Sequence, residues 1–274
     1  TLIAGAIYTS GMRRQEQSFP IVTKGRASFD QLSPKFGILY EPAPDLQFYA
    51  NYSRSHELPG FIELAQLAGF APLDAQRAWT AEIGGRGRIG PLHFDLSVYR
   101  ADLEGELLQY SVRDDIPVST FNAGRTRHQG VELGLDLDLA SWARLRQVYQ
   151  YNDFRFRGDS QFDGNRLPVV PEHFYRAALE LGREGLKIAP NVEWMPRGAW
   201  VDYANSFRTG GYALVGITAE ARLTPAITVF ADARNLADRK AAGDVSAVVA
   251  YTPASAVFYP VERRSVFAGV RAAF

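Results

Sequence analysis

Four histidines, His56, His93, His128 and His173, are the side chains best suited to metal ligation or proton transfer in this chain of 274 residues. Their spacing suits neither task. No two are separated as a metal-binding helix face requires, and there is no cysteine to complete a thiolate set. His93 falls on the polar face of an alternating segment, His173 belongs to the start of another, and His56 and His128 lie near breaks in the pattern. Each reads as an ordinary wall or loop histidine. The chain also lacks GxSxG, a P-loop and HExxH. The glycine-rich run GGRGRIG (84–90) lies inside a period-two segment, so it is no phosphate cradle. No catalytic residue, metal or cofactor is expected.

Lysine plus arginine equals aspartate plus glutamate at 30 each, which argues against a dedicated nucleic-acid binder. The absence of cysteine excludes a disulfide framework and is compatible with a cell envelope. No apolar run is long enough for a membrane helix. The opening TLIAGAIYTS has neither an initiator methionine nor a basic region before its apolar stretch, and it reads as a strand met in mid-chain, a truncation. Aromatic residues make up 12% of the chain, with tyrosine and phenylalanine far ahead of tryptophan, a composition that favours pleated surfaces and interfacial girdles.

The elements that must position these residues are announced by alternation. In GVELGLDLDL (130–139), Val131, Leu133, Leu135, Leu137 and Leu139 share one face, while Glu132, Asp136 and Asp138 share the other. The same period recurs over 79–89, 92–98 and 213–223; over 143–157 it is spoiled by Gln147, which falls with Leu145 and Tyr149. Short breaks near 42–45, 90–91, 141–142, 183–185 and 224–226 alternate with long ones near 10–33, 55–77, 111–120, 158–166, 205–210 and 238–256. Short turns on one side and long loops on the other are the rhythm of an outer-membrane barrel. About twelve strands are expected, roughly 2–9, 35–42, 46–54, 78–89, 92–110, 119–140, 143–157, 167–182, 186–204, 211–224, 226–236 and 257–274. Several exceed the ~10 residues that a tilted strand needs to cross a membrane, so they should project beyond it on the loop side. Pro171, Pro190 and Pro196 are expected at strand ends or bulges, and FIELAQLAGF (61–70) can form one or two helical turns. The fold class is therefore all-β, an antiparallel up-and-down transmembrane β-barrel. A soluble sandwich, barrel or propeller also alternates, but glycine and mixed charge running along whole strands favour the membrane reading.

Several segments, in order, resemble TonB-dependent outer-membrane receptors. SPKFGILYEPAPDLQFYANYSRSHELPGF (33–61) is similar to a strand–turn–strand that enters a loop, NAGRTRHQGVEL (122–133) to a strand ending in GvE, RLPVVPEHFYRAALEL (166–181) to a P-x-x-P-x-H strand start, and ARNLADRK (233–240) to an NLxD strand. The last strand then runs to Phe274. The resemblance covers nearly all of residues 1–274 and implies the carboxy-terminal part of a barrel that has 22 strands in the family, with the plug domain absent from this chain.

The resemblance further implies a receptor for a ferric siderophore or a similar scarce nutrient, energised by TonB through the missing plug, seated in outer-membrane lipid and not an enzyme. Arginine and aromatic side chains suit anionic metal chelates. By position, the implied ligand-binding candidates are Arg54, His56, Arg125, Arg127, His128, Tyr151, Arg155, Trp200, Tyr203 and Tyr251. Phe274, Val270 and Val266 on the last strand resemble the signal read by the barrel assembly machinery, although Ala272 stands where an aromatic is usual. The rival reading is a self-contained twelve-stranded pore or barrel enzyme. A phospholipase of that kind needs a Ser–His pair, which the sequence does not reveal. A soluble β-domain that binds a partner is the third reading.

Overall fold

Period-two patterning becomes extended backbone along nearly the whole chain. The computed structural model describes every residue except 20–21, 67–68, 112–117, 184, 256 and 274. In chain order the elements are β1 (Leu2–Gln17), β2 (Thr23–Ala43), β3 (Leu46–Glu57), the single turn α1 (Phe61–Leu64), β4 (Ala65–Gln66), β5 (Gly69–Phe70), β6 (Gln76–Ile89), β7 (Leu92–Tyr110), β8 (Ser119–Ala140), β9 (Ala143–Phe156) and β10 (His173–Arg183). They continue with β11 (Leu186–Met195), β12 (Tyr212–Arg222), β13 (Ile227–Arg234), β14 (Ala242–Ser246), β15 (Val257–Pro260) and β16 (Ser265–Ala272). Twelve of these form one sheet in the order β1-β2-β3-β6-β7-β8-β9-β10-β11-β12-β13-β16. The pairs β4–β5 and β14–β15 are small ribbons within loops.

Residues directly opposite each other across a ladder share a face, so the register sorts the side chains. Ile38, Ala50, Ile83, Val98 and Val131 form one row across β2, β3, β6, β7 and β8. Leu181, Ile188, Ala219, Ala231 and Ala268 form another across β10 to β16. The intervening rows are polar: Arg88, His93, Asp136 and Arg146 lie side by side on the other face. One face of the wall is thus apolar and suits lipid, and the other carries mixed charge and suits a wet interior. Gln147, the exception in the pattern, accepts a hydrogen bond from the Tyr175 hydroxyl at 2.8 Å on the apolar face.

Glycines on the polar face make room for aromatic partners. Tyr49 lies opposite Gly84 and Tyr99 opposite Gly130. A Cβ on Gly130 would stand 2.3 Å from the Tyr151 carbonyl and 2.7 Å from the Tyr99 hydroxyl, so only glycine fits. The ring ends stay polar: Tyr49 donates to Glu82 at 2.9 Å and Tyr99 to Asn152 at 3.1 Å.

Four expectations need correction. The break expected at 10–33 is mostly strand, with β1 and β2 paired from Leu2–Ile38 up to Gln17–Thr23. Strands expected at 167–182 and 186–204 are trimmed to β10 and β11, which leaves Pro171 and Pro196 outside them. Pro190 sits within β11, and the ladder to β10 is interrupted beside it, between the pairs Ala178–Asn191 and Leu181–Ile188, because proline has no N–H to donate. The segment expected as one strand at 257–274 is two, β15 in a loop ribbon and β16 in the wall. Val266 and Val270 of β16 do stand on the apolar face, 68% and 67% exposed. Phe274 lies outside the described residues.

Candidate functional site

The long connections gather at the rim opposite the short turns, and three of them interlock. Asp202, fully buried, is the latch between 196–211 and 235–264. Its carboxylate accepts bonds from the Ser206 N–H at 2.9 Å, from the Ser206 hydroxyl, and from the Tyr251 N–H at 2.9 Å. Beside it, Tyr203 N–H donates to Val248 O at 3.1 Å and Val248 N–H to Val201 O at 3.1 Å. The third connection joins through Asn205, which accepts from Arg166 N–H at 2.7 Å and donates to Arg166 O at 2.8 Å.

Tyr203 anchors the assembly to the wall. Its hydroxyl donates to Gln109 O at 2.7 Å, and its ring packs on Phe121, Phe156 and Phe162 in a cluster with Ala123 and Leu167. Burial, with a smaller contribution from the charge of Glu106, pushes its phenol well above the usual tyrosine range. Phe154 and Phe156 lie opposite His128 and Thr126, which share the polar face with Glu132, so the loops fold over the interior side of the wall.

Charge is concentrated beside these loops, in part on the outward side, where Asp153 lies opposite Gln129 and Arg166 bridges Arg155. Glu172 receives both Arg166 at 3.0 Å and Arg208 at 3.2 Å, and Arg166 also meets Asp153 at 3.0 Å. The Arg208 guanidinium stands 5.4 Å from the centre of the Trp200 ring, a cation–π distance. The Trp200 Nε1–H is buried without a hydrogen-bond partner among the described residues. Phe207 and Tyr251 stack at 4.1 Å. On the interior wall, His128 stacks on Phe154 at 4.0 Å and stands 3.1 Å from Glu106, which also takes the Thr126 hydroxyl.

The ten expected ligand residues therefore divide. Trp200, Tyr203 and Tyr251 belong to the loop cluster, and His128 to the interior wall below it. Arg54, Arg127 and Arg155 fall in one row with Trp79 and Asp102, and Arg125 and Tyr151 share their face. That face is the apolar one, so these five side chains turn away from the interior, and the tenth, His56, opposite Arg77, falls on the same face by register. The alternation through Arg125, Arg127 and Gln129 into Val131 already carried this signal. Arg166, Asp202 and Arg208 were not foreseen, because contacts between loops leave no periodic trace. Among the described residues no three histidine, aspartate or glutamate groups converge as a metal site. A Ser–His contact does exist: Ser33 Oγ and His56 Nδ1 are 2.7 Å apart. Ser33 is buried, and no carboxylate orients the far nitrogen of His56 among the described residues, so a hydrolytic triad is not assembled.

The turn after β13 is pinned separately. Asn235 and Asp238 both have positive φ, and Asn235 donates to Arg239 O and Glu262 O at 2.9 and 2.8 Å. Arg263 donates to both Asp238 oxygens, and Arg264 N–H adds a third bond at 3.2 Å. These bonds, the Arg263 side chain foremost, hold the Asp238 carboxyl far below the usual carboxylate range. A depressed carboxyl stabilises the fold above its unfolded pKa of about 4 and loses that contribution only as the pH falls through the lower folded value. Asp238 in the full-length protein should thus remain ionised at pH 3 by NMR titration, and Asp238→Asn should abolish the acid-side loosening of 235–241. An ordinary titration near pH 4 would refute the link.

A family model described as "TonB dependent receptor-like, beta-barrel" matches residues 1–236. The chain is similar to the metal-pseudopaline receptor CntO of Pseudomonas aeruginosa, at 24% identity over 220 residues, 76% of this chain and 30% of that protein. Its fold matches the siderophore receptor PiuA of Acinetobacter baumannii at a TM-score of 0.78, with 19% identity over 99% of this chain and 40% of that one. The ferric yersiniabactin uptake receptor FyuA of Yersinia pestis gives 0.74, with 20% identity over 93% and 39%. The chain thus spans about a third of its curated relative and two fifths of these receptors.

Proposed function

Since the chain belongs to the TonB-dependent receptor family of β-barrels, we propose that it supplies wall and ligand-facing loops to an outer-membrane importer of a metal chelate, of the ferric siderophore class. The observation that carries this is the loop cluster latched by Asp202 over the polar face of the wall. It brings Trp200 to Arg208 and Phe207 to Tyr251, and on this reading it would present them toward the mouth of a wet interior. Trp200 with Arg208, and Phe207 with Tyr251, are the pairs that would meet a planar anionic chelate, through stacking and charge-assisted bonds. His128 and Glu106 would line the path beneath. Energy would come from TonB acting on a plug domain outside this chain, and Val266 and Val270 would present the closing strand to the barrel assembly machinery.

The test is growth under iron limitation on a panel of ferric chelates. Deleting the gene for the full-length protein should remove growth on at least one chelate, and disabling TonB should do the same. The double variant Trp200→Ala/Tyr251→Ala should raise the half-saturating chelate concentration about tenfold, the scale of losing two aromatic contacts at a binding surface. Unchanged growth of the deletion strain on every chelate would sink the importer reading.

A further inference from the structure

Two clefts adjoin on the outward face, the one that the interior cannot reach. The first is an apolar groove of 860 Å³, where the small side chains Ala50 and Ala81 lie between Phe36, Tyr52 and Tyr151. The second, of 540 Å³, stands above it toward the long loops and is lined by six arginines and only two carboxylates, Asp102 and Glu104. Arg100 borders both clefts, and Tyr52 of the first stacks on Trp79 of the second at 4.8 Å.

The charge of the upper cleft is not balanced from within. Asp102 is already engaged by Arg100 at 2.9 Å and Arg127 at 2.7 Å, and Glu104 stands 3.9 Å from Arg125. Arg54 and Arg77 make no ion pair among the described residues. Guanidinium groups crowded on an extended sheet repel one another unless an anion joins them, and planar forks of this kind match phosphate oxygens two at a time. The cleft begins where the apolar belt ends and the aromatic pair Tyr52–Trp79 marks the interface, which is the depth at which a lipid headgroup lies. A chelate in transit through the interior is on the other side of the wall.

We propose that these clefts together form a site for a phosphate-bearing lipid of the leaflet that surrounds the long loops. Its acyl chains lie over Ala50 and Ala81 in the apolar groove, and its phosphate lies among Arg54, Arg77, Arg125 and Arg127. The site rests on the reading of the chain as a membrane-embedded wall.

The experiment uses the full-length protein, purified from outer membranes in non-ionic detergent and washed extensively. Phosphate-bearing lipid per protein is counted by native mass spectrometry. The wild type should keep a fixed stoichiometry of such lipid, and Arg54→Glu/Arg77→Glu should lower its retention about tenfold. Arg54→Lys/Arg77→Lys should fall between, because charge is kept while the two-oxygen fit is lost. Arg146→Glu, on the polar interior face, should retain lipid as the wild type does. Equal retention in wild type and Arg54→Glu/Arg77→Glu would overturn the proposal, as would a wild type that carries none. Full displacement by inorganic phosphate at matched concentration would also overturn it, in favour of a free-anion site. Heat-modifiable gel mobility of each protein separates the two failures. A wild type without it speaks against the membrane wall itself, whereas normal mobility with unchanged lipid sinks only the lipid site.

Discussion

Replacing Asp202 by alanine will free two loops at once, with a loss of local stability of about 3 kcal/mol, because several donors that converge on one buried carboxylate then lose their acceptor together. The Ser206 and Tyr251 amides both point at this carboxylate, which is itself fully buried. Hydrogen exchange at these two amides in the full-length protein should accelerate by about a hundredfold, while exchange in the ladders of β7 and β8 stays as it was. Asp202→Asn makes a sharper test. Oδ1, which takes the Ser206 N–H, remains an acceptor. An amide NH₂ in place of Oδ2 would face the Tyr251 N–H and repel it. Exchange should then rise at Tyr251 and little at Ser206. Unchanged protection at Tyr251 in both variants would remove Asp202 from its role as latch.

The second large effect concerns the ends of the sheet. β1 and β16 stand at its two edges, each with one partner among the described residues. β1 alone offers an unpaired edge over 16 residues, and in lipid each unsatisfied backbone group costs on the order of several kcal/mol. Residues 1–274 produced by themselves should therefore aggregate or pair edge to edge, and should yield no monodisperse, heat-modifiable monomer in detergent or vesicles. A monomer with the mobility shift of a closed barrel would show that the twelve strands can curl until β1 meets β16.

Much of the wall was legible because its two faces meet different solvents. β7 and β8 fall on the expected residues 92–110 and 119–140, where leucine and valine alternate with charge along most of each strand. Alternation fades where both faces meet water. The upper halves of β1 and β2, SGMRRQEQ and TKGRASFDQL, are polar on both sides and rich in small residues, so they resemble a loop although they are fully paired. The same reasoning applies to the site. The outward placement of Arg125 and Arg127 follows from the parity that runs on from Val131, and that signal was available in the sequence. Asp202, Arg166 and Arg208 are set by loops that meet across 39 or 49 residues of chain, a separation to which no local pattern is sensitive.

The sheet has one further property, visible in its order alone. Among the described residues every wall strand between the two edges is bonded to the wall strand before it and the one after it, with no crossover along the order. A wall built this way can change size only in hairpin steps. Gaining or losing a pair of strands leaves every later turn on its own side of the membrane, whereas gaining or losing one would invert them all and deliver loops such as 196–211 to the wrong compartment. Ancestral growth or shrinkage of such a chain is thereby restricted to duplication or deletion of roughly hairpin-sized pieces of sequence.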